Sequence, residues 1–148
     1  MSIVCVIPAR SGSKGILNKN IIDFNGKPLI AWTIEVAIRT NQFSRIIVST
    51  DNKKIAKIAK KFGAEVPFLR PRTLAADNVH ASKVVMHALK WLKKIENYTP
   101  EVIVMLLPTS PLREARHIKD VITIFKKKKT SSVISVENLS KYPNNLRY

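Results

Sequence analysis

What most constrains this chain is an alternation of two hydrophobic periods. Short, nearly continuous apolar runs at residues 2–8 (SIVCVIP), 45–49 (RIIVS) and 101–107 (EVIVMLL) are separated by longer stretches with apolar residues at helical spacing. Continuous β-branched runs predict strands covered on both faces, and helix-length spacers between them predict right-handed crossovers onto a parallel sheet. The run at 101–107 reads as the most buried strand. Residues 65–69, interrupted by Pro67, read as a short edge strand, and residues 131–136 as a fifth strand. The first helix opens at Pro28 after an Asn25-Gly26 turn, turns Leu29, Trp32, Thr33, Val36 and Ala37 inward and ends near Thr40. A second, capped by Asp51 or Thr50, buries Ile55, Ala56, Ile58, Ala59 and Phe62 and stops at Gly63. A third spans 80–95 with Val84, Val85, Ala88, Leu89, Trp91, Leu92 and Ile95 inward, and a fourth follows Pro111 and Glu114 with Ile118, Val121, Ile122 and Phe125. The expected architecture is α/β, an open and mainly parallel sheet flanked by helices. At 148 residues it is expected to be one domain, 1–148.

The loop leaving the first strand carries the chemistry. From Ile7 to Asn20 it reads IPARSGSKGILNKN, and no acid occurs between Met1 and Ile22. Arg10, Lys14 and Lys19 supply positive charge, Ser11 and Ser13 supply hydroxyl donors, and Gly12 and Gly15 let backbone N–H groups approach an anion. A loop of this kind at the carboxyl end of a buried strand is where open α/β sheets bind nucleotides. It matches neither the Walker pattern, because Ile16 follows Gly15, nor the three-glycine dinucleotide pattern. The bland alternative is an ordinary strand-to-loop turn with solvated lysines.

The formal net charge is +16. It admits nucleic acid, an anionic membrane or a polyanionic substrate as partner. Lys53, Lys54, Lys57, Lys60 and Lys61 follow a helical period and read as a solvated helix face, and residues 126–129 fall at a helix C-terminus, where cations suit the dipole. Specific nucleic-acid binding is therefore not expected. The single Cys5 lies inside an apolar run, so no disulfide framework is possible. No leader pattern and no apolar run of membrane-spanning length is visible, and the expected location is the cytoplasm, with no membrane partner.

In a parallel sheet, residues 8–20, 49–52, 70–78 and 108–113 converge on one edge. They bring Arg10, Lys14, Lys19, Arg70, Arg72 and Arg113 there, with Asp51 and Asp77. No catalytic triad, HExxH or CxxC is present, and His80, His87 and His117 read as helix-surface residues. An anion site without an obvious nucleophile favours transfer at phosphorus between bound substrates, where positioning and electrostatics provide most of the catalysis.

IPARSGSKG, NKN (18–20), GKPLIAWTIE (26–35), RIIVSTDN (45–52), AKKFGAEVPFLRP (59–71), LAAD (74–77) and LLPTSPLR (106–113) occur in order. Together they resemble the acylneuraminate cytidylyltransferases, the group that includes CMP-sialic acid synthetases and the related legionaminic and pseudaminic acid enzymes. The resemblance runs from Ile3 to about Tyr148 and corresponds to the N-terminal two-thirds of the family. It implies a Rossmann-like fold of the nucleotide-diphospho-sugar transferase type. It also implies CTP and Mg²⁺, with the anomeric hydroxyl of a nine-carbon sialic-type sugar acid attacking the α-phosphorus to give a CMP-sugar and pyrophosphate. By position it implies a triphosphate loop of Arg10, Ser11, Gly12, Ser13, Lys14 and Gly15, with Arg10 and Lys19 as catalytic residues. Asn20, Arg70 and Asp77 complete the implied nucleotide contacts. No metal ligand is assigned within the chain, because the family's paired aspartates lie further on, as does the segment that swaps between subunits of a homodimer.

Three departures stand out. Leu17 replaces a common Pro, Leu107 replaces a Gln on the acceptor side, and His80 stands where relatives usually carry a small hydroxyl residue. The chain is expected to be a truncated or naturally short form, and catalytically silent by itself. The alternatives are another sugar nucleotidyltransferase of the same architecture and a non-catalytic binding module.

Overall fold

The computed structural model describes residues 1–12, 15–128 and 130–136. β1 (Ile3–Pro8) lies between β4 (Arg45–Ser49) and β5 (Val102–Met105), with every pairing parallel. The period of two along β1 divides the core. Ile3, Cys5 and Ile7 face Ile30 and Ile34 of α1 (Leu29–Thr40), Ile55 of α2 (Lys53–Lys61), and Ile118 and Ile122 of α4 (Ala115–Lys128). Val4 and Val6 face the other way, onto Phe68 and onto Ala88 and Leu92 of α3 (Ala81–Glu96). The expected α/β sandwich with helices on both faces is present.

The differences in detail have physical causes. β1, and not the 101–107 run, is the most buried strand, because it is central; β5 is half-buried and Met105 is 42% exposed. The stretch 65–69 makes only isolated parallel bridges to the β4 side, Ile47 to Glu65 and Thr50 to Leu69. Pro67 sits between them and has no N–H to continue a ladder. Residues 131–136 are not a strand: they pair with nothing among the described residues, and Ile134 and Val136 are 81% and 92% exposed. β-Propensity without a neighbouring strand makes no ladder.

α1 buries nearly its whole circumference, including Ile30 and Ile34, which a narrow stripe reading leaves out. It begins at Leu29 with Pro28 as cap, directly after a hairpin of β2 (Asp23–Phe24) and β3 (Lys27–Pro28). Asn25 and Gly26 form the hairpin turn at φ 52 and 87, the left-handed pair a two-residue turn requires. At the C-terminus of α3, Ile95 is 60% exposed rather than buried.

Candidate nucleotide site at the carboxyl edge of the sheet

Three of the four converging segments meet at the carboxyl ends of β1 and β4. The amide of Ala9 donates to the carbonyl of Ser49 (2.9 Å), which holds the start of the loop against β4. Two residues on, the Ser11 amide donates to Asp51 Oδ1 (2.9 Å) and the Ser11 hydroxyl to Asp51 Oδ2 (2.6 Å). Asp51 is therefore not the cap of α2. Asn52 is, its Oδ1 accepting from the amides of Lys54 and Ile55. Buried Asn20 donates from Nδ2 to the Arg10 carbonyl (2.9 Å), closing the loop on itself through the 3-10 turn Lys19–Ile21.

The loop at 70–78 reaches back to the first one. The Arg10 guanidinium pairs with the Asp77 carboxylate and also donates to the Ala75 carbonyl (3.3 Å). Arg70 is anchored by its amide to the Thr50 carbonyl (2.7 Å) and is only 4% exposed, with Nε and Nη2 lacking a hydrogen-bond partner. Burial lowers the Arg70 pKa. The Asp51 charge opposes that shift and the Arg10 charge adds to it, which places Arg70 electrostatically between the two. Burial acts to raise the Asp51 pKa, but the hydrogen bonds from the Ser11 hydroxyl and amide, helped by Arg70, hold the carboxyl below its ordinary value. Arg72, brought to the same edge by the sequence reading, is exposed.

Of the residues assigned to the site from sequence, the structure thus brings together Arg10, Ser11, Asn20, Arg70 and Asp77. Lys19 is half-buried in its turn, and Gly12 and Gly15 lie on the exposed face of the loop. A Cβ added to either glycine would meet nothing within 4 Å, so no described contact inside the chain demands glycine there. Ser13 and Lys14 lie outside the described residues. Arg113 goes elsewhere: one Nη donates to the Leu107 carbonyl (3.2 Å), and the side chain lines a cavity of about 500 Å³ between β5 and α4.

His87, read from the sequence as a helix-surface residue, is instead packed against the core. Half-buried on α3, it meets Phe68 edge to face with ring centroids 4.9 Å apart, and its Nδ1 is buried without a partner. Burial, then the Arg70 charge, lowers its pKa. The unfolded chain therefore takes up a proton before the fold does. This part of the stability is complete above the ordinary histidine value of about 6.5 and is lost as the pH falls through the lower folded value. Urea unfolding as a function of pH should show that loss, and His87→Phe, which keeps the ring and removes the titration, should flatten it. An unchanged pH profile in the variant would place the loss on other groups.

Magnesium is implied by the resemblance, but the described side chains do not fit it. No three of His, Cys, Asp and Glu stand together to hold an ion among the described residues. Asp51 is occupied by Ser11 and Asp77 by Arg10.

Solved structures share this fold. A CMP-2-keto-3-deoxy-manno-octonic acid synthetase complexed with CTP superposes with a TM-score of 0.73 at 19% identity, over 87% of this chain and 49% of that one. A cytidylyltransferase from Leptospira borgpetersenii gives 0.65 at 21% identity, over 87% of this chain and 50% of the other. The fold is that of a nucleotidyltransferase. The sequence profile of the family described as cytidylyltransferase matches residues 4–147, and the chain belongs to that family.

Among its relatives, the CMP-N,N'-diacetyllegionaminic acid synthase of Legionella pneumophila is 40% identical over 97% of this chain and 61% of its own length. The pseudaminic acid cytidylyltransferase of Campylobacter jejuni is 40% identical over 80% of this chain and 51% of its own length. The N-acylneuraminate cytidylyltransferase of Escherichia coli is 38% identical over 94% of this chain and 32% of its own length. The chain thus spans 32–61% of the length of these relatives.

Proposed function

We propose that this chain is the nucleotide-binding part of a cytidylyltransferase that transfers CMP from CTP to the anomeric hydroxyl of a nonulosonic, sialic-type acid and releases pyrophosphate. The observation that carries the reading is the convergence of Arg10, Arg70 and the glycine-containing loop on the carboxyl edge of β1 and β4. A triphosphate is a concentrated polyanion, and guanidinium groups bind phosphate oxygens in bidentate fashion. In this proposal Arg10 and Lys19 stabilise charge at the transferring phosphorus, while Ser13, Lys14 and the Gly12 and Gly15 backbones cradle the phosphates. Asn20 holds the loop closed and Arg70 contacts the nucleotide. Asp77 acts through Arg10, holding its guanidinium over the site.

Three relatives at similar identity are named for three different nonulosonic acids, so the acceptor is proposed as that class and no single member. Mg²⁺ belongs to the proposal as the ion that neutralises the triphosphate. A homodimer in the full-length protein and a cytoplasmic location complete it. No described helix is long and apolar enough to cross a membrane.

A thermal-shift panel of CTP, UTP, ATP and single-stranded DNA, each with Mg²⁺, tests the reading. Ligand at about 100 times its Kd stabilises a fold by about 2.7 kcal/mol. CTP should give the largest shift. Equal shifts from ATP or UTP would remove the base-specific reading, and a larger shift from DNA would replace it with a nucleic-acid binder.

A further inference from the structure

We infer that Asp51 is a positioning residue for the nucleotide loop, acting through Ser11 and not on the nucleotide itself; the inference rests on the CTP reading above. Asp51 follows the end of β4, and Ser11 follows the end of β1 by three residues. Both oxygens of the carboxylate are used on one residue: Oδ1 takes the Ser11 amide at 2.9 Å and Oδ2 the Ser11 hydroxyl at 2.6 Å. A two-point hold of this kind fixes the backbone orientation at Ser11, which a single bond would leave free to rotate.

The direction of the loop after Ser11 is set there. Ser11 leads into exposed Gly12, where an added Cβ would meet nothing within 4 Å. Upstream, the Ala9 amide on the Ser49 carbonyl and the Asn20 side chain on the Arg10 carbonyl fix the preceding residues. Among the described residues, Asp51 is the acidic tie between the loop and the end of β4. The bonds leave the Ser11 amide and hydroxyl committed to the carboxylate, so phosphate contacts fall to the residues beyond. Asp51 also faces Arg70, whose charge helps keep it ionised.

An alternative assigns Asp51 to the nucleotide or its metal directly, with Ser11 as a phosphate donor in its own right. The two assignments differ in additivity. If Asp51 acts through Ser11, removing both partners costs no more than removing Asp51 alone, because the interaction is shared.

The experiment measures CTP affinity by calorimetry for the full 148-residue chain as wild type, Ser11→Ala, Asp51→Ala, the double variant and Asp51→Asn. Melting temperatures are taken for each without ligand. Asp51→Ala should weaken CTP binding about tenfold, the lower range for loss of a charge-assisted hydrogen bond. Ser11→Ala, which keeps the amide bond, should cost less, and the double variant should match Asp51→Ala to within about twofold. Asp51→Asn keeps an oxygen for the Ser11 amide and a polar group against the hydroxyl, and should recover most of the affinity.

Multiplying losses in the double variant would overturn the inference. So would an Asp51→Asn protein that melts like the wild type yet binds as poorly as Asp51→Ala, since the charge would then be used directly. Wild-type binding of CTP with unchanged affinity in Asp51→Ala overturns the inference and leaves the nucleotide reading standing. No CTP binding by the wild type overturns both.

Discussion

Arg10→Ala is expected to weaken CTP binding by about 10- to 150-fold. The figure corresponds to about 1.5–3 kcal/mol, the scale of a hydrogen bond to a charged group. Arg10 stands at the carboxyl end of the central strand, with its backbone carbonyl held by Asn20 and its guanidinium held by Asp77 and Ala75. Its position is therefore set before any ligand arrives, and little ordering has to accompany binding. Arg10→Lys keeps the charge but loses the planar fork, and should fall between wild type and Ala. Arg72→Ala is the control: Arg72 is exposed in the adjoining loop and should leave the affinity unchanged. Calorimetry on the three variants checks the series. An unaltered Kd in Arg10→Ala would mean that the loop does not hold the phosphates.

Arg70→Met is expected to stabilise the fold while it weakens CTP binding. Arg70 is 4% exposed, and two of its donors have no partner, an arrangement that costs about 1–3 kcal/mol for an unmet buried donor. Asp51 attracts it, but burial is the larger influence on its pKa and acts against the charge. Methionine approximates its length without charge or unmet donors, so the melting temperature should rise by about 2–10 °C for a domain of this size. The same change removes a guanidinium from the proposed nucleotide contact, and CTP should bind at least about tenfold more weakly. Opposite signs in stability and affinity mark a residue kept for function at the expense of the fold. A variant less stable than wild type would show that the Asp51 attraction outweighs burial. Unchanged CTP affinity would remove Arg70 from the site.

The loop at 70–78 shows how far the residues could be read in advance. LRP and LAAD, together with the position of the segment after an edge run, sufficed to put Arg70 and Asp77 on the carboxyl edge of the sheet. What the sequence lacked was the pairing. That Asp77 closes on Arg10, and that Arg70 is buried beside Asp51 and His87, depends on contacts between residues tens of positions apart. Arg113 makes the same point in reverse: its segment follows β5 as expected, yet its side chain donates to the Leu107 carbonyl.

Local rules also competed. Thr50, Asp51 and Asn52 can each cap a helix, and propensity does not choose among them. Asn52 takes the cap because Asp51 is drawn across to Ser11 by two hydrogen bonds. Val133, Ile134 and Val136 have strand propensity, but β-branched residues make a strand only beside a partner, and none is present among the described residues.

The sequence by itself determined the α/β class, the parallel sheet, the three main strands, the four helices and the basic, glycine-containing loop after the first strand. These follow from hydrophobic period and turn residues, which act over a few positions and can be read along the chain. The tertiary structure alone decided which strand is central, which acid ties the loop, which arginine is buried and which histidine lies beside it. Those outcomes depend on desolvation and on partners brought together across the sheet, and neither quantity exists until the chain has folded.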